Sequence, residues 1–395
     1  MNGTFLLARR HLWHHRWRSA VLVGCLTLTF LLPVGLQFFS THLEARLTAR
    51  ANATPLVVGA AGSELDLALH ALHFRGQPSR ETTMAESNRI SEGGLAKSIP
   101  MLVRFKAEGW PIVGTTTDYL RLRKLKVAKG HSWKRRGDCL VGATVAKQLN
   151  LEPGDGLMTE PENVFELDGS FPLRMRVAGI LSESDSPDDS AVFIGLETAW
   201  IIAGIGHGHA APRKREMPDA SPNSRATGEA DVPMHDASLI EYTEITEENA
   251  GSFHFHGDRN SFPLTAILAI PHDEASETLL LGRYLSDDDP AQIIRPVEVI
   301  DELLTMVMRI RQLFELAFAS MATVTAAMLA LFVVLTVQLR QREFATMFRI
   351  GCGRFMIVRL VGSELLLLFV ISSLATMLIA IAFTFVAPRL SSLLA

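Results

Sequence analysis

The residues of this chain best suited to coordination chemistry are histidines. His207 and His209 form one His-x-His pair, His254 and His256 form a second, and His235 lies between them. Neutral imidazoles suit zinc, copper or nickel. The first pair falls in a stretch, 204–236, rich in Gly, Pro, Ala, Ser and charge and almost empty of large apolar side chains. Such a segment buries too little surface to order itself. The composition therefore favours a mobile insertion carrying solvated histidines over a metal site.

Cysteine chemistry is sparse. Cys25 sits in an apolar run, Cys139 in the middle of the chain and Cys352 in a basic loop. Three separate environments leave no intrachain disulfide framework, and Cys139 reads as a buried free thiol rather than a reactive one.

No catalytic engine is visible. The phosphate-loop pattern is missing, since the Gly142–Lys147 stretch has the lysine without the glycine that should precede it. Patterns for a nucleophile elbow, a zinc protease or a kinase are also missing. The expectation is a protein that is not an enzyme and needs no cofactor. A net charge of -4, with neither zinc-finger spacing nor an RNA-binding aromatic motif, also argues against a nucleic-acid partner. No apolar run carries a buried charge pair of the kind that marks ion or proton pathways, and Glu364 reads as a headgroup-level carboxylate at the mouth of the last run.

The most informative stretch is 338–363. Phe344, Met347, Phe348 and Phe355 mark an apolar side, and Arg340, Gln341, Glu343 and Arg349 a polar one. Gly351 and Gly353 bracket a break between two helical pieces. An amphipathic helix of this kind either lies in a membrane interface or docks in a partner's groove. Residue physics leaves both open.

Three uncharged runs must position these residues: 19–40, 316–337 and 365–386. Each matches the roughly 20 apolar residues needed to cross a bilayer. Pro33 is tolerable in such a helix. The first run is too long for a signal-peptide core and lacks a small-x-small cleavage site at Leu36-Gln37-Phe38-Phe39, so it reads as an uncleaved anchor. Arg9, Arg10, Arg16 and Arg18 precede it, and Arg340, Arg342, Arg349, Arg354 and Arg359 separate the second and third runs against Glu343 alone. Basic loops stay inside. The N-terminus and the 338–363 loop are then cytoplasmic, and residues 41–311 lie outside.

The outer part reads as α+β. Leu173, Met175 and Val177 alternate with Arg174 and Arg176, the period of a half-buried strand. Ala191–Ile194 and Leu264–Ile270 are further strands, and Ala143–Leu149 is helical before the turn at Glu152-Pro153-Gly154-Asp155. A stripe of Val299, Leu303, Met306 and Ile310 predicts a helix running into the second apolar run. The fold class expected is an α-helical membrane protein with three transmembrane helices and a large α+β extracytoplasmic domain between spans one and two.

The loop pattern Arg340-x-Arg342-Glu343-x-x-Thr346-x-x-x-Ile350-Gly351-small-x-Arg354, followed by Glu364 opening a Leu-rich run, resembles the permease module of the FtsX/MacB-type ABC transporters. Leu12–Ser19 resembles their cytoplasmic elbow, and Gly142–Asp155 with Phe171–Leu181 and Val57–Asp66 resembles their periplasmic core domain. The resemblance covers nearly the whole chain. It implies a permease subunit in a bacterial inner membrane, working as a homodimer or heterodimer with a separate ATPase subunit. The coupling surface would be Arg340, Arg342, Glu343, Phe344, Met347, Phe348, Arg349 and Gly351. The implied division is an elbow at 1–18, spans at 19–40, 316–337 and 364–387, the coupling loop at 338–363 and a short outer tail at 388–395. The implied work is export or extraction of a lipoprotein, peptide or other envelope substrate. The family has a fourth span, and this sequence shows three, an expectation of an absent segment. A membrane-bound sensor or scaffold is the alternative; it should carry a cytoplasmic signalling domain after the second span, where this chain has a short basic loop.

Overall fold

The structure, a computed structural model, describes residues 2–76, 80–161, 172–208, 213–216, 239–285, 289–351 and 353–394. Two compact units result, Arg46–Glu302 and the combination of Met1–Ala45 with Leu303–Ala395.

The second of these is helical. Its elements are Asn2–His14, most of Arg16–Asn52, most of Pro296–Leu339, and Gln341–Arg349 and Arg354–Leu394. Three of them, over Arg16–Phe38, Pro296–Leu339 and Val358–Ala382, are long and apolar enough to cross a membrane. The last helix continues through residues 388–394, where a tail was expected. Leu22, Leu26 and Leu368 form a small buried centre, with Phe30, Leu329 and Phe332 against it. Hydroxyls tie the helices where the backbones approach: Thr29 Oγ1 meets Thr325 Oγ1 at 3.2 Å, and the Ser372 and Thr376 hydroxyls donate to the carbonyls of Val23 and Thr27 at 3.3 and 3.4 Å. Small hydroxyl residues at such contacts are the usual device for packing helices that have no hydrophobic drive to associate. The remaining faces stay apolar and exposed, with Leu316, Val324, Leu331 and Leu378 all more than two-thirds accessible. Contiguous surface of this kind needs an apolar partner or solvent.

The Arg46–Glu302 unit is α+β. A four-stranded antiparallel sheet runs in the order Ala291–Ile294, Leu56–Ala60, Ala266–Pro271, Ala96–Met101. Its first and last strands in the chain are thus neighbours, with Val57 opposite Ile294 and Ala60 opposite Ala291. A larger mixed sheet centres on Leu173–Leu181, Asp138–Val141, Val192–Gly195 and Trp110–Thr115. The 114-to-102 bridge joins the two sheets, Leu102 exchanging both backbone bonds with Gly114. The alternation read at 173–177 holds: Leu173, Met175 and Val177 are buried, while Arg174 and Arg176 reach Glu244 and Asp138. Cys139 is wholly buried on its strand, and burial pushes its thiol far up from the ordinary value. Cys25 is also a free thiol, and Cys352 lies outside the described residues.

Two expectations change. Leu264–Ile270 is not one strand: the chain breaks at Thr265, whose hydroxyl receives the Val103 amide at 2.9 Å, and resumes as Ala266–Pro271. The 204–236 stretch is not uniformly irregular either. Gly206–His207 pairs with His254–Phe255, and Arg213–Glu216 pairs with Leu239–Glu244, which in turn joins the large sheet. Composition missed these strands because pairing satisfies the backbone even where side chains bury little.

Candidate functional site

The loop singled out by sequence is a helix–break–helix in the helical unit. Pro296–Leu339 ends at Arg340, the helix Gln341–Arg349 follows, and Gly351 at φ +96° turns the chain into Arg354–Leu394. Only glycine takes that left-handed conformation without strain. Arg342, Phe348 and Arg349 are exposed on the short helix, and Ile350 and Phe355 beyond it are 79% and 72% accessible. The side chains of Glu343, Phe344 and Met347 lie outside the described residues.

Arg340 is placed differently from the others. Its guanidinium lies 3.3 Å from Glu364 Oε1, and both side chains are largely buried. Glu364, expected as a headgroup-level carboxylate, thus has a charge partner, and Arg340 is less exposed than Arg342 and Arg349, because the turn at Gly351 folds the last helix back until Glu364 stands opposite it. A cleft of ≈ 180 Å³ adjoins the pair, lined by His11, His15, Arg18, Leu22, Phe332 and Leu368 among others.

A second constellation was not foreseen. Arg50, in the last turn of the Arg16–Asn52 helix, is buried inside the α+β unit. Its Nε donates to the Leu72 carbonyl at 2.7 Å, Nη1 to Asp188 Oδ2 at 2.5 Å, and Nη2 to Asp188 Oδ1 at 2.9 Å and Tyr119 Oη at 2.8 Å. Tyr119 Oη donates to Asp188 Oδ1 at 2.7 Å, and the Ser186 hydroxyl to Oδ2 at 3.0 Å. The Arg50 guanidinium also lies over the Phe74 ring, 5.5 Å from its centroid. Asp188 is presented by the 3-10 turn Pro187–Ser190, which Ser186 and Asp189 cap reciprocally. Burial works against the Asp188 charge, and Arg50 with Tyr119 outweighs it, holding the carboxyl below the usual range. Burial pushes the Tyr119 phenol well up. Next to this cluster, burial and then the cations Arg50, Arg75 and Arg123 hold His73 down to about 4. His70 is lowered by burial, against the Gly76 carbonyl that its Nδ1 meets at 2.9 Å. The cluster is a fastening for the helix end. Arg50 and Asp188 are 138 positions apart, and no local pattern links them.

The histidine pairs are brought together in part. His207, His254 and His256 gather on one small sheet, and His209 and His235 lie outside the described residues.

No family model matches the chain, and no curated protein sequence does. Among solved structures, the periplasmic region of MacB from Actinobacillus actinomycetemcomitans is similar at 9% identity and a TM-score of 0.35, over 65% of this chain and 97% of that one. The extracellular domain of the noncanonic ABC-type transporter YknZ from Gram-positive bacteria gives 10% and 0.33, over 60% and 98%. A domain of a putative permease protein from Porphyromonas gingivalis gives 8% and 0.29, over 61% and 86%. Likeness at this level fixes neither family nor activity, which have to be read from the chain's own residues.

Proposed function

We propose that this chain is the permease subunit of an ABC transporter of the FtsX/MacB type, set in a bacterial inner membrane. A separate ATPase subunit hydrolyses ATP, and this chain passes the resulting motion to its α+β unit on the outer side. The work done there is export or extraction of a lipoprotein, peptide or other envelope substrate. The permease acts as a dimer with a second copy or a related chain.

The observation that carries the reading is the short helix Gln341–Arg349, isolated between two long apolar helices by Arg340 and Gly351. It presents Arg342 and Arg349, two turns apart on its polar side, and Phe348 on its apolar side to solvent. Basic residues here and before the first apolar helix keep this end of the helical unit in the cytoplasm, where an ATPase would find it. The exposed apolar flanks of the long helices suit hydrocarbon. Arg340 sets the base of the coupling helix through Glu364 instead of meeting the partner.

Gentle-detergent purification tests this. The ATPase subunit co-purifies with the wild-type chain, and Arg342→Glu with Arg349→Glu releases it while leaving the Arg340–Glu364 pair in place. Retention of the ATPase by that double variant sinks the coupling role.

A further inference from the structure

The pairing of Gly206–His207 with His254–Phe255 separates packing from chemistry. The antiparallel register sets His207 opposite His254 and Gly206 opposite Phe255. Side chains alternate along a strand, and the His256 amide extends the ladder by donating to the Ile205 carbonyl at 3.4 Å. On one face, Phe255 packs edge-on against buried Trp200 and beside Phe262, at centroid distances of 6.3 and 5.9 Å. The glycines make room for this: a Cβ on Gly206 would lie 2.6 Å from the Phe255 ring, and one on Gly208 2.8 Å from Phe253. On the other face the histidines meet. The centroids of His207 and His254 are 4.9 Å apart, those of His207 and His256 4.8 Å, and those of His254 and His256 4.6 Å. Gly206-His207-Gly208 against Phe253-His254-Phe255-His256 is therefore a single pattern, glycine facing phenylalanine and histidine facing histidine.

Ring packing alone does not call for three exposed or half-exposed imidazoles on so firm a base. One ligand nitrogen from each ring can be chosen so that all three lie within 4.8 Å of one another. Around zinc, with Zn–N near 2.0–2.1 Å, tetrahedral neighbours stand about 3.3 Å apart, so side-chain rotations closing roughly 1.5 Å complete the site. Nδ1 of His254 sits 3.1 Å from the Ser252 carbonyl. A carbonyl only accepts, so that contact puts the proton on Nδ1 and the lone pair on Nε2, the orientation by which proteins present a histidine to a metal. We infer that His207, His254 and His256 form a site for a divalent transition metal of the zinc class, with water in the fourth position. Such an ion would staple two strands that, among the described residues, share two residue pairs, a short ladder that gains from a cross-link.

The test is zinc titration by calorimetry on the full, tag-free chain in detergent, with cobalt as a spectroscopic substitute. The wild-type chain takes up one zinc per molecule with saturable heat, and cobalt gives the intense visible bands of a four-coordinate ion. His254→Gln alone weakens binding at least tenfold, and the triple variant His207→Gln, His254→Gln, His256→Gln loses both the heat and the bands. His11 and His15, whose rings lie 4.7 Å apart in the helical unit, supply the control: changing both to Gln leaves the titration as it was. Absence of saturable binding in the wild-type chain overturns the proposal, as does binding that survives the triple variant. Should the triple variant fail to fold, the exposed His256→Gln change and the wild-type cobalt spectrum decide between the same outcomes. None of these readouts involves the ATPase, so this site can fail while the permease reading stands.

Discussion

Replacing Arg50 by Met isolates the energetics of the buried fastening. The wild-type guanidinium and carboxylate have side chains only 6% and 1% exposed, and Arg50 makes four hydrogen bonds within the cluster. Met keeps much of the aliphatic bulk but none of the donors. Asp188 then retains only the hydroxyls of Tyr119 and Ser186 among the partners described above. Breaking one side of a buried pair costs about 3–5 kcal/mol, because a charge is left in the interior without its counter-charge. For a unit of this size about 2–4 °C of melting temperature follows each kcal/mol, so the transition drops by roughly 6–20 °C. Replacing both partners, as Arg50→Met with Asp188→Leu, removes the stranded charge and recovers most of the loss. Thermal unfolding followed by tryptophan fluorescence reads this unit selectively: Trp200 and Trp110 are buried in it at 1% and 7% exposure, while Trp13 and Trp17 in the helical unit are already about four-fifths exposed. A single variant within about 1 kcal/mol of wild type would refute the reasoning. So would a double variant as unstable as the two singles summed.

Acid should loosen the same region through His73. Its folded value near 4 lies below the ordinary 6.5, so the unfolded chain takes up the proton first; the contribution is complete above pH 6.5 and is lost as pH falls toward 4. At about 1.4 kcal/mol per unit this is on the order of 3 kcal/mol, and a melting temperature flat from pH 7 to 4.5, or a slope unchanged in His73→Leu, contradicts it. Gly142→Ala is expected to destabilise by about 1–3 kcal/mol, as overpacked sites do, because its Cβ would stand 2.4 Å from the carbonyl oxygens of both Asp188 and Asp189. Gly62→Ala, with nothing within 4 Å, serves as the control, and equal melting temperatures for the two variants reject the clash.

What sequence alone could reveal followed the range of the interactions concerned. The three apolar helices and the strand at 173–177 are written in local composition and period, and both were legible. The helix–glycine–helix loop was legible too, because Gly351 and the Arg/Phe alternation act over a few residues. The pairing of Arg340 with Glu364 was not legible, because the two lie 24 positions apart, across a turn whose direction no residue type fixes. The Arg50–Asp188 fastening spans 138 positions and was invisible. The histidine face is intermediate. Its glycine-histidine and phenylalanine-histidine alternations are both plain in the sequence, but only the pairing of His207 with His254, 47 positions on, shows that they match. A composition reading of 204–236 as uniformly irregular hid the first of them.

The adjacency of the first and last strands of the α+β unit has a mechanical consequence. Leu56–Ala60 and Ala291–Ile294 run antiparallel, with Val57 opposite Ile294 at the end where the chain enters and leaves the sheet. A force that parts the two strands at Leu56 and Ile294 loads the ladder one residue pair at a time, beginning at Val57 and Ile294, whereas a pull applied further up the Arg16–Asn52 helix meets the Arg50–Asp188 fastening first. A displacement applied to both ends in the same direction puts no tension across the ladder and carries the whole sheet as a body. The sheet therefore opposes separation of these two strand ends one residue pair at a time and leaves their joint movement unopposed.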